Sequence, residues 1–458
     1  MSFTTLTYLF YFLPLSLFLY FICPLSLKKG FLIIISLLFY GWMKPLNILY
    51  LAALILYAYF GGIFIKRAKS LRHKKIRMGI LGSFLVFLLI YFKYAQGMYD
   101  LFVSLFSQEL QINALIMPLG SSFILFQILS YLFDLTMERS NNTSFIDCAL
   151  YISFFPKLLM GPIMQYHDFT AKNINAKLSV YHIELGARRF TIGLAQKVIL
   201  ADSFAQLYAA LSNDYSMLGS WLSSFAYTLQ IFFDFAGYTS MAIGTALMFG
   251  YHLNENFMNP YRARSIRDFW RRWHISLSTW FRDYVYIPLG GNRVTTQKHI
   301  RNILIVWLLT GIWHGNSINF LLWGLYYACL LLLETYTPLK RLADVRFISP
   351  IITFLLVNFG WVIFAAGDLN ELYAHFQAMF GFGNELYSLQ SAAYFISYAM
   401  LLTLGAVLVF CPLEKWKHSL KERFSSELAV VFAYACLFIT AISFLLAANY
   451  QAFLYFRF

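Results

Sequence analysis

The sequence predicts an all-α polytopic membrane protein, and two observations carry that expectation. Of 458 residues, 60% are hydrophobic, 20% aromatic and only 12% charged, whereas soluble domains carry about 25% charged residues. Stretches free of Asp, Glu, Lys and Arg also recur along the chain, at residues 3–27, 45–65, 78–92, 112–133, 215–233, 235–253, 302–333, 347–367, 386–413 and 428–456. A bilayer core takes roughly 20 helical residues, so most of these runs can span it.

Taken in order, the first run has no basic leader and no small-residue cleavage site, and further spans follow it. It therefore reads as a retained first helix. Residues 30–43 and 146–163 are marginal in length, and Pro156, Gly161 and Pro162 mark the second as a re-entrant segment. The expectation is about ten to twelve spans in a single integral-membrane domain, residues 1–458.

The net charge of +14 is unevenly placed. Seven of the 35 Lys and Arg residues lie in KRAKSLRHKKIR, 66–77, and a second cluster is EKWKHSLKER, 414–423. By the positive-inside rule both are cytoplasmic loops. Orientation in the membrane accounts for this charge, so nucleic-acid binding is not its reading. The five cysteines, Cys23, Cys148, Cys329, Cys411 and Cys436, stand singly in apolar surroundings and form no CxxC pair. Packed thiols are expected, with neither a disulfide framework nor a metal site.

Residues 257–301 break the apolar pattern and form an amphipathic block on the cytoplasmic side. Its centre is RDFWRRWHISLSTWFRDYVYIPLGGNR, 267–293. On a helix of about 100° per residue, Phe269, Trp270, Trp273, Leu277, Trp280, Phe281 and Tyr284 share one face. Arg267, Arg271, His274, Ser278 and Arg282 share another, and Asp268 is spaced to pair with Arg271 and Arg272. Two readings stay open. The helix can lie in the headgroup layer, anchored by tryptophan, or it can form a mouth that recognises an anionic ligand through arginine forks.

The run 302–333 is too long for one untilted span, and Thr310, Gly311, His314, Gly315, Asn316, Ser317 and Asn319 interrupt its middle. An ionisable group at membrane depth is costly, which makes His314 a functional candidate. A neutral imidazole can take a proton from a hydroxyl and return it to a leaving group. A hydrogen bond between two helices is the structural alternative. Polar stripes recur at Gln127, Ser130, Tyr131 and Asp134 and at Gln230, Asp234 and Tyr238. They suit a central tunnel or, equally, interhelical hydrogen bonds.

The 267–293 block followed by LTGIWHGNSINFLLWGLYY, 309–327, resembles the membrane-bound O-acyltransferases, in the branch that acetylates alginate and peptidoglycan and D-alanylates teichoic acid. LIYFKYA (89–95), PLGSSFILFQILSYLFD (118–134), FFPKLLMGPI (154–163), RRFTIGLAQKVILAD (188–202), LQIFFDFAGYTSMAIG (229–244) and FLYFRF (453–458) extend the likeness over nearly the whole chain. The resemblance implies a ring of helices around a thin centre, with a tunnel joining a cytoplasmic donor side to an acceptor side. It implies that His314 is the catalytic histidine and His274 its second characteristic polar residue. Arg267, Arg271, Ser278, Arg282, Trp313, Asn316, Asn319, Gln230 and Asp234 become candidates for lining the substrate path. One departure is WVIFAAGDL, 361–369, where Ala365 stands in place of an expected arginine.

The resulting expectation is transfer of an acyl group, acetyl by analogy, from a cytoplasmic thioester such as acetyl-CoA to an envelope polysaccharide, with no tightly bound cofactor and no metal. His314 would act as general base, with Asn316, Ser317 or Asn319 donating to the oxyanion. The chain shows no GxSxG elbow, so a separate extracytoplasmic, hydrolase-like (SGNH-type) O-acetyltransferase is the expected partner. The expected location is a bacterial cytoplasmic (inner) membrane. D-alanyl transfer to teichoic acid and secondary transport of a small solute are the competing functions; neither histidine block has the second copy that an inverted-repeat transporter would show.

Overall fold

Helices and the turns joining them make up this computed structural model, which describes residues 1–106, 118–140, 143–174, 176–339, 344–345, 347–382, 385–411, 427–447 and 453–454. No β-strand occurs among the described residues. The basic cluster expected at 414–423 and residues 455–458 of the terminal motif lie outside them. The chain divides into two units, Met1–Phe190 with Tyr238–Glu255, and Thr191–Gly237 with Asn256–Phe458.

The first unit holds α1 (Leu13–Ile22), α2 (Lys28–Gly41), α3 (Leu46–Lys66), α4 (Leu71–Phe106), α5 (Ser121–Thr136), α6 (Phe145–Ser153), α7 (Phe155–Leu158), α8 (Tyr166–Asn173) and the beginning of α9 (Val180–Ala195). The basic stretch 66–77 is not an open loop. Only residues 67–70 separate α3 from α4, and the Ser70 hydroxyl accepts the His73 N–H at 3.3 Å. This cap starts α4 early, because Lys and Arg are good helix formers once the first turn is held. The re-entrant candidate is a helix broken at Phe154, two residues before Pro156, and residues 148–166 are all buried. Lys157 within it donates to the Gln127 side-chain oxygen and the Tyr151 carbonyl, which offsets the cost of burying its ammonium. Asp134, from the polar stripe of α5, accepts the His167 backbone N–H at 3.0 Å.

The second unit holds α10 (Asp202–Leu211), most of α11 (Met217–Met248), α12 (Ile266–Arg272), α13 (Ile275–Phe281), α14 (Thr296–His314), α15 (Ile318–Tyr336), α16 (Ile348–Ala365), α17 (Leu369–Met379), α18 (Leu389–Phe410) and α19 (Glu427–Ala447). Among the described residues seven helices are long and apolar enough to cross a membrane: α3, α4 over Leu71–Ala95, α11, α15, α16, α18 and α19. Tyr8–Ile22 and Ser121–Thr136 are shorter apolar helices. Those seven stand beside the ten to twelve spans expected over the whole chain, and one source of the difference is visible among the described residues. The runs 215–233 and 235–253 continue through Asp234 as the one helix α11, since an ion pair described below satisfies that carboxylate. The most apolar stretch of α11 is 89% buried, against 11% for α18 and 6% for α19, so α11 is a core helix and the other two present their sides to lipid.

All five cysteines are free thiols. Cys148 is packed as expected, but Cys329 on α15 and Cys436 on α19 are exposed. They sit on spanning helices whose outward faces meet hydrocarbon, where a thiol needs no protein partner.

Candidate active site

A helical hairpin sets the position of His314. α14 ends at this residue, Gly315 is extended (φ 164°, ψ −175°), and α15 begins at Ile318. The helices approach closely because two glycines face them. A Cβ on Gly311 would lie 2.4 Å from the Phe320 carbonyl oxygen, and one on Gly324 would lie 2.5 Å from that of Trp307. Only hydrogen fits there. The tight crossing leaves His314 at the turn, 3% exposed, among aromatic rings at 4.7 Å (Trp313), 5.1 Å (Trp323) and 5.0 Å (Phe364). Trp313 is itself buried. Asn316 is exposed beside the turn, whereas Asn319 is buried and donates its side-chain N–H to the Ala366 carbonyl.

His274 comes from a different backbone device. The single amphipathic helix expected over 267–285 is instead α12, a left-handed residue at His274 (φ 45°, ψ 52°), α13 and a π turn over Arg282–Tyr286. Asn256 explains the break. Its carbonyl accepts the Ile275 N–H at 3.0 Å, and its side-chain oxygen accepts the Ser276 N–H and hydroxyl at 3.1 and 2.9 Å and lies 3.2 Å from His274 Nδ1. These bonds outweigh the strain of a left-handed non-glycine residue. His274 consequently leaves the exposed basic face on which the helical projection put it. It is 2% exposed, with its ring edge-to-face with Phe235 at 4.6 Å. Burial pushes its pKa down to about 3, so the ring is neutral at pH 7.

The rest of the block keeps its sidedness despite the break. Phe269, Trp273, Leu277, Trp280 and Phe281 are buried, Ser278 is half-buried, and Arg267, Arg271 and Arg282 are exposed. Arg272 pairs with Asp268 at 2.8 Å across one helical turn, as their spacing predicts. Arg282 pairs with Asp283 at 2.7 Å, and Arg267 donates to the Thr335 hydroxyl at 2.7 Å. A run of rings joins the two histidine elements, with centroids 4.8 Å apart from Trp273 to Trp361, 5.7 Å from Trp361 to Phe364, and 5.0 Å from Phe364 to His314.

Asp234 and Gln230 lie on α11. Asp234 is 2.8 Å from Lys197 Nζ and accepts the Leu454 backbone N–H at 2.8 Å, and Lys197 also meets Asp202 at 2.6 Å. Gln230 is buried, and its side-chain oxygen has no hydrogen-bond partner among the described residues. Lys197 is a residue that sequence reasoning missed. Lys197 and Asp202 are five apart, which an α-helix does not bring together. A π turn over Gln196–Ala201 makes the Asp202 N–H bond to the Lys197 carbonyl, and that i, i+5 spacing inside an apolar stretch was the available signal. Ala365, in place of the expected arginine, lines a small cavity with Tyr208, Ser224, Glu371 and His375.

The family model of the membrane-bound O-acyltransferases matches residues 35–374. The chain belongs to this family. A probable alginate O-acetylase of Azotobacter vinelandii is 36% identical over 425 residues, covering 88% of this chain and 85% of its own length. A peptidoglycan O-acetyltransferase of Helicobacter pylori is 33% identical over 422 residues, covering 83% and 80%. A teichoic acid D-alanyltransferase of Bacillus subtilis is 32% identical over 240 residues, covering 47% and 60%. As a membrane-bound O-acyltransferase the protein is an enzyme and a multi-pass membrane protein. The matched region includes both histidine elements and the π turn and ends within α17, before α18 and α19.

Proposed function

We propose that this membrane-bound O-acyltransferase moves an acetyl group from a cytoplasmic thioester, acetyl-CoA or a carrier-bound equivalent, toward hydroxyls of an envelope polysaccharide such as peptidoglycan or an alginate-like polymer. The observation that carries this reading is His314 on a glycine-bounded turn, walled by rings that keep water from competing for a thioester. His314 takes the proton of the attacking hydroxyl as that oxygen adds to the thioester carbonyl. The carbon–sulfur bond then breaks, an ester remains, and the proton passes to the departing thiolate. His274, neutral and locked by Asn256, acts as support from the adjoining element. The exposed Arg271 favours an anionic, phosphate-bearing donor at the cytoplasmic approach.

Acetyl is favoured over D-alanyl because the alginate and peptidoglycan relatives cover 88% and 83% of the chain, against 47% for the D-alanyl relative. Delivery to the polymer uses a separate extracytoplasmic O-acetyltransferase, and the enzyme sits in a bacterial cytoplasmic (inner) membrane. The test supplies labelled acetyl-CoA to inverted vesicles with and without that partner. Label should leave the thioester only with wild-type protein and reach polymer only with the partner. Undiminished transfer by His314→Ala would remove the assignment, and label from D-alanyl carrier alone would favour the teichoic acid reaction. Mass analysis of the polymer that loses acetyl on deletion names the acceptor.

A further inference from the structure

Beside the acyl-transfer machinery, the second unit carries an open slot of about 340 Å³ between the end of α15 and the start of α16, with the α12 entry at its rim. Its two ends differ in chemistry. At one end are Arg264 and Arg267, both exposed, with Glu334 and Ser349. Toward the other end, one to two turns along the same helices, the walls are Leu330, Ile352 and Leu356. Glu334 offsets only one of the two arginine charges and its carboxylate accepts the backbone N–H groups of Ile266 and Arg267, so the rim stays net positive. The Arg264 guanidinium has no hydrogen-bond or ion-pair partner among the described residues, and that of Arg267 holds only the Thr335 hydroxyl. Ser349 is 1% exposed, lines the slot, and its hydroxyl has no hydrogen-bond partner among the described residues.

A cationic rim, a buried hydroxyl one step inside and an apolar groove beyond follow the order of groups in a phospholipid: phosphate, ester, acyl chain. We infer that this slot holds one anionic phospholipid of the cytoplasmic leaflet. Its phosphate lies between Arg264 and Arg267, its ester region at Ser349 and one acyl chain along Leu330, Ile352 and Leu356. The leaflet follows from the density of arginine in the surrounding block. Arginine is the residue suited to a phosphate, since its planar fork donates two hydrogen bonds. The net positive rim selects a lipid carrying net negative charge over a zwitterionic one.

The experiment uses the full chain purified in a mild detergent, with retained lipid read by native mass spectrometry after loading with phosphatidylglycerol or phosphatidylcholine. Wild type should retain phosphatidylglycerol about tenfold or more better than phosphatidylcholine, a difference of about 1.4 kcal/mol per factor of ten. Arg264→Gln with Arg267→Gln, and separately Leu356→Trp, which fills the groove, should each lose that preference. Arg264→Lys with Arg267→Lys should keep most of it, and Lys298→Gln, an exposed basic residue outside the slot, should keep all of it. If the glutamine pair does not fold, Leu356→Trp and the lysine pair decide on the same readout. Equal retention of the two lipids by wild type, wild-type retention by Leu356→Trp, or displacement of the lipid by soluble glycerol phosphate at matched concentration would each overturn the proposal.

Discussion

Aromatic rings surround His314. Trp323 lies against it and is 1% exposed, so Trp323→Ala should cost about 3–5 kcal/mol, read as a fall in thermal stability in detergent. His314→Gln, which keeps most of the side-chain volume, should instead leave the melting temperature close to wild type and reduce acetyl transfer by about 10²–10⁴-fold, which single-turnover assays with labelled thioester would measure. His274 yields a pH prediction with a definite sign. Its folded pKa of about 3 lies below the value of about 6.5 for an unfolded histidine, so between these values the unfolded chain binds a proton that the folded chain excludes. Its contribution to stability is complete above about pH 6.5 and is lost as pH falls toward 3. Melting temperature should therefore drop on acidification below about pH 6.5, and His274→Asn, which tolerates the left-handed backbone, should show a shallower drop. The helix end at His314 was legible in the sequence because polar residues interrupt an apolar run there. The burial of His274 was not, since it depends on Asn256, which no helical period connects to it.

Two helix devices, the α14–α15 hairpin and the π turn at Lys197, differ in how far the sequence announces them. The α14–α15 hairpin could be read from the length of run 302–333 and the polar residues in its middle, and Gly311 and Gly324 supply the close approach. Gly311→Val should push against the Phe320 carbonyl and cost about 1–3 kcal/mol as an overpacked contact, with transfer activity falling at the same time. The Lys197 cluster was not read, because helical wheels assume i, i+3 and i, i+4 neighbours and the π turn creates an i, i+5 pair. Lys197→Met leaves Asp234 and Asp202 without their cation and should destabilise by about 3–5 kcal/mol. Adding Asp234→Asn should recover part of that loss, and a double-mutant cycle on thermal or denaturant unfolding measures how much. The amphipathic block falls between these cases. Its aromatic face obeys the helical period through Trp273 and again from Leu277, but the period is reset at His274 by contacts distant in sequence.

On the scale of the whole molecule, composition alone announces a polytopic α-helical protein, and the helices long enough to span follow most of the charge-free runs. The count of spans was less legible, because Asp234 and the 315–317 turn look alike as polar interruptions. One is satisfied within a continuous helix, and the other ends a helix. Exposure of Cys329 and Cys436 on spanning helices gives a check on which surfaces meet lipid. In membranes, a lipid-soluble maleimide should label both thiols and a membrane-impermeant one neither, and Cys→Ser at either position should remove the lipid-soluble reagent's label there. The boundaries between the two units fall between residues 190 and 191 and between 237 and 238, inside α9 and α11, as well as between 255 and 256. No hinge peptide therefore exists at the first two places for a protease to nick, and a gene fragment cut there would end halfway through a hydrogen-bonded coil.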